Sequence, residues 1–109
     1  MISEQDIDRA LNYLRDNSEK DAQARAERLY VEQYLKTVLA QEQAKANAPS
    51  MAASEMVARV SEPYVATLAA YKQAIFEDEK RRFLRSAAET KIEAWRTMSS
   101  NERAQGKVG

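Results

Sequence analysis

The clearest interruption of helix in this chain is KANAPSMAAS, where Pro49 biases the residue before it away from helical backbone and small residues surround it. The second proline does not interrupt. Pro63 follows Ser61, a good N-cap, and so sits in a first helical turn where its missing N–H costs nothing. With two glycines, two prolines and few β-branched residues, the long stretches on either side of Pro49 favour helices over sheets. Two rods joined by a short connection fold most simply as an antiparallel hairpin. The expected class is therefore all-α: an elongated antiparallel helical hairpin of coiled-coil type, with a short N-terminal helix and a short helix near Ala52–Val60 in the connection. Residues 1–98 form one helical domain, and the polar, glycine-containing residues 99–109 read as a flexible tail.

The finer pattern comes from the apolar residues. Ser3 and Asp6 are spaced as an acidic variant of the capping box, and Ile7, Ala10, Leu11 and Leu14 follow on one helical face. That face continues into Ser18, Asp21 and Arg25, so a break or bend is expected at DNS, with Ser18 and Asp21 offering a second cap. A second helix then carries Val31, Leu35 and Val38 to about Ala46. In the last helix, steps of 100° put Tyr64, Leu68, Tyr71 and Ile75 on one stripe. Phe83, Leu84, Ala87, Ala88 and Trp95 fall on another side. The expected core is Ile7, Leu11, Leu14, Val31, Leu35, Val38, Phe83, Leu84, Ile92 and Trp95, with the first helix folded back onto Ile92 and Trp95. Only one stripe can face the second helix. Tyr64, Leu68, Tyr71 and Ile75 are then an expected interface of a homo-oligomer, because a contiguous exposed apolar patch is unusual on a monomer.

Chemistry is constrained by what is missing. Cysteine and histidine are both absent, which removes disulfides, thiolate and imidazole metal sites, cysteine nucleophiles and the Ser-His-Asp arrangement. No catalytic, cofactor-binding or metal-ligating residue is expected, and no enzyme. The 17 basic and 17 acidic residues cancel, which argues against a whole-molecule polyelectrolyte. No apolar run approaches a membrane span, and MISEQDIDRA lacks the basic start and apolar core of a signal peptide, so the expected location is cytoplasmic.

One charged run stands out, FEDEKRRFLR. Its residues are all tolerable in a helix, and Glu77–Arg81 and Asp78–Arg82 are acid-before-base pairs four apart, so an unbroken helix is expected through it. Lys80, Arg81, Arg82 and Arg85 are the candidate nucleic-acid contacts, able to neutralise phosphates without sequence preference. The favoured alternative is a solvated helix face whose arginines pair with nearby acids.

ALNYLRDN, AQARAERLYVEQYLK and DEKRRFLRSAAETKIEAWRT, in that order, resemble a family of small helical proteins of tailed bacteriophages and prophages. Members of that family are often encoded among phage DNA recombination and replication genes, beside single-strand annealing or single-strand-binding proteins. The resemblance implies a non-enzymatic, self-associating accessory or adaptor in phage DNA recombination or replication, in the cytoplasm of the bacterial host. Its implied partner is a phage recombination or single-strand-binding protein. The alternative expectation is a structural or host-directed interaction module that never touches nucleic acid.

Overall fold

A computed structural model describes residues 1–108, with 107 and 108 by backbone alone. It contains three helices, α1 (Glu4–Lys45), α2 (Met51–Arg59) and α3 (Glu62–Val108), and no strand among the described residues. The chain divides into two compact units. Unit 1 combines Met1–Asp21 with the chain from Lys80 onward, and unit 2 is Ala22–Glu79.

The starts of the helices follow their sequences. At Ser3 the capping box is closed reciprocally: the Ser3 N–H donates to Asp6 Oδ2 at 2.9 Å, and the Asp6 N–H donates to Ser3 Oγ at 3.2 Å. This bond to the backbone of Ser3, helped by the Ser3 hydroxyl, holds the Asp6 carboxyl below its ordinary pKa. Ser50 caps α2 by accepting from the Ala53 N–H at 3.1 Å. At α3 the Ser61 carbonyl accepts from the Val65 N–H at 3.0 Å, with Pro63 in the first turn as expected.

Two boundaries differ from expectation. No break occurs at DNS, and a single α1 replaces the separate N-terminal helix. Asn17 and Ser18 do not cap a new helix; their side chains donate back to the carbonyls of Tyr13 and Arg15 at 2.9 and 3.1 Å, which satisfies them within an ongoing helix. At the other end α3 continues past Met98 to Val108, since Glu102, Arg103 and Ala104 are good helix formers and Gly106 alone is weak. Of the expected tail, Gly109 lies outside the described residues.

Burial follows one spacing throughout. In unit 1 the buried and half-buried positions of α1 include Ile7, Ala10, Leu14, Asn17 and Asp21, and those of α3 include Arg81, Arg85, Ala88, Ile92, Trp95 and Ser99. In unit 2 they include Ala24, Arg28, Val31, Leu35, Val38 and Glu42 on α1, with Tyr64, Thr67, Tyr71, Ala74 and Asp78 on α3. The steps alternate three and four, the heptad spacing of a coiled-coil seam. Within unit 1 the two segments run antiparallel. Ile2 and Glu4 share a recess with Trp95 and Met98, Ala10 and Tyr13 share a groove with Ala87 and Ala88, and Asp21 meets Arg81.

The expected core sorts accordingly. Ile7, Val31 and Val38 are buried, and Leu14, Leu35, Ile92 and Trp95 are half-buried. Leu11, Phe83 and Leu84 are not core: they are 49, 71 and 48 % exposed. Arg81 and Arg85 occupy the seam positions on α3, which turns Phe83 and Leu84 away from it, and Leu11 flanks the seam beside Ala10.

Candidate functional site

Two features of this architecture bear on function, a charged section of the seam and an apolar groove. The charged section lies where an ordinary coil would place leucine or isoleucine. In unit 1, Asp21 sits at a seam position of α1 with its side chain 9 % exposed. Its Oδ1 lies 3.4 Å from Arg81 Nη1 and its Oδ2 lies 3.2 Å from Arg85 Nη1, so one carboxylate holds two guanidiniums a helical turn apart. In unit 2, Arg28 Nη1 is shared between Asp78 Oδ2 at 3.0 Å and Glu79 Oε1 at 3.2 Å. Sharing one nitrogen turns the guanidinium so that its buried Nε has no hydrogen-bond partner.

This geometry divides the expected nucleic-acid site. Arg81 and Arg85 are directed to Asp21 and are partly buried, whereas Lys80 and Arg82 are exposed and also have interactions of their own. The four do not form one outward basic patch. Of the acids expected to neutralise the run locally, Asp78 and Glu79 are bound by Arg28 of the other helix.

The apolar groove belongs to unit 2. It has a volume of about 600 Å³ and is lined by Val65, Leu68, Ala69, Tyr71, Lys72 and Ile75 on successive turns of α3. Val65 and Leu68 are 52 and 46 % exposed, while Tyr71 and Ile75 are half-buried. Lys72 is its one charged lining residue. Three of the four expected interface residues therefore meet in this groove.

Tyr64 does not join them. It is buried in unit 2, its hydroxyl accepts from Arg59 Nη1 at 3.2 Å, and the Arg59 guanidinium carbon lies 5.9 Å from its ring centroid. Arg59 is itself held by Glu55, whose Oε1 accepts from Nη2 at 2.7 Å and from Nε at 3.0 Å. These two bonds to one carboxylate oxygen, with the Glu55 charge, raise the Arg59 pKa further. The tyrosine is a spacing coincidence: it shares a helical face with Leu68 but occupies the seam.

Other surfaces carry less. Tyr30 and Tyr34 stack on α1 with ring centroids 6.0 Å apart and planes 8° apart, a pair inside one helix. No group of three or more acidic side chains able to hold a metal ion occurs among the described residues. No helix among them is long and apolar enough to cross a membrane.

Comparison with family models, with curated proteins and with solved structures finds no match to this chain.

Proposed function

We propose that this protein is a non-enzymatic, self-associating helical adaptor whose contacts are made to other proteins. The observation that carries this reading is the groove of Val65, Leu68, Tyr71 and Ile75. It leaves two of those apolar side chains about half exposed, although full burial of a Leu or Val is worth roughly 1.5 to 3 kcal/mol. A surface of this kind marks a place where another chain binds. Direct phosphate contact is the weaker option, because two of the four candidate arginines and lysines are tied to Asp21. In each unit segments of α1 and α3 pack on one another, which suits the limbs of a helical hairpin acting as a scaffold.

The process served is drawn from the resemblance to small tailed-phage proteins. On that basis the adaptor acts in phage DNA recombination or replication, in the cytoplasm of the bacterial host, with a recombination or single-strand-binding protein as partner. A tagged pull-down from infected cells, with and without nuclease, tests it. Nuclease-resistant recovery of such a protein is expected. Recovery of capsid or host proteins alone would assign the adaptor to structural or host-directed work, and recovery lost with nuclease would return the function to DNA. Fluorescence anisotropy with labelled oligonucleotides gives the direct check: no binding at physiological salt is expected, and a steep salt-dependent affinity weakened by Arg81→Gln with Arg82→Gln would overturn the protein-only reading.

A further inference from the structure

We draw no further inference here: the strongest candidate, the groove between α1 and α3 of unit 1 lined by Arg9, Ala10, Leu84, Ala88 and Lys91, also holds the Asp6 carboxylate, so its charges single out no occupant and nothing in the structure shows what covers it.

Discussion

Replacing Asp21 by alanine tests the central claim about the seam, that its charges are structural and held in place by one carboxylate. Asp21 has a side-chain exposure of 9 %, and it faces Arg81 and Arg85, whose side chains are 25 and 38 % exposed. Removing one partner of a fully buried ion pair typically costs 3 to 5 kcal/mol, because the remaining charge is left without compensation. Here the two arginines are partly wet and can turn their heads toward solvent on their apolar stems. The expected loss is therefore smaller, about 2 to 3 kcal/mol, which for a chain of this size lowers Tm by about 10 °C. Urea unfolding followed by circular dichroism measures it. Asp21→Asn, which keeps the volume and removes the charge, should recover only a minor part of the loss.

A second variant separates charge pairing from packing. Asp21→Leu with Arg81→Leu gives that section of the seam an apolar pair of coiled-coil type, with Arg85 able to reach solvent. It should equal or exceed wild-type stability, as replacement of buried ion pairs by well-packed apolar groups often does. If Asp21→Ala instead loses less than about half a kcal/mol, the pairs behave as ordinary surface salt bridges, and the seam description of this section is wrong.

Arg28→Ala should destabilise by about 2 kcal/mol, again by urea unfolding, since it leaves Asp78, with a side chain 13 % exposed, without its cation. Ile7→Ala should cost about 2 to 3 kcal/mol, because Ile7 is only 6 % exposed. It should also move Trp95 emission to the red, as antiparallel counting from Asp21 and Arg81 brings Ile7 level with Trp95; an unmoved spectrum would show a different register. The Asp6 carboxyl has a lowered folded-state pKa, so its contribution is complete above the ordinary aspartate value of about 3.9 and is lost as pH falls through the lower folded value. Asp6→Asn should accordingly flatten the acid limb of a stability–pH curve by lowering stability at neutral pH while leaving it little changed at pH values below the folded pKa. A limb of equal steepness in both proteins would assign acid sensitivity to other carboxylates.

The helical class, the interruption at Pro49, the capping box at Ser3 and the continuous helix through FEDEKRRFLR were all legible, because each depends on local backbone preference. The seam was not. A wheel with fixed steps of 100° drifts about 20° per heptad from a seam that repeats every seven residues. Over the four heptads from Tyr64 to Ile92 that amounts to about 80°, and it separates one seam into two apparent stripes. Phe83 and Leu84 then looked central and Arg85 looked peripheral, the reverse of their burial. Asp21 reads as a helix cap for a different reason: a charge on an apolar face looks, from local sequence, like the end of that face. The signal that could have revealed the seam is long-range, the three-four spacing continued through Asn17, Asp21 and Arg28 on one helix and Asp78, Arg81 and Arg85 on the other, with opposite signs.

The charges in the seam also explain why association should use the outer face of α3. Polar residues at seam positions generally specify partner and register at some expense in stability. If two copies of α3 paired in parallel through their seam faces, Asp78 would meet Asp78, Arg81 would meet Arg81, and Arg85 would meet Arg85. The same arrangement of two α1 helices would oppose Asp21 with Asp21 and Arg28 with Arg28. Within unit 1, a slip of one heptad would set Asp21 level with Ala88 and deprive both arginines of their acid. These alternatives each leave charge uncompensated in a partly dry environment, so the ionic seam positions disfavour parallel self-pairing and register slips. The groove at Val65, Leu68 and Ile75 has no such guard, since Lys72 is its one charged lining residue. Polarity thus divides the work along α3: ionic selectivity where the helix packs within its own chain, and an apolar strip at the place proposed for contact with another chain.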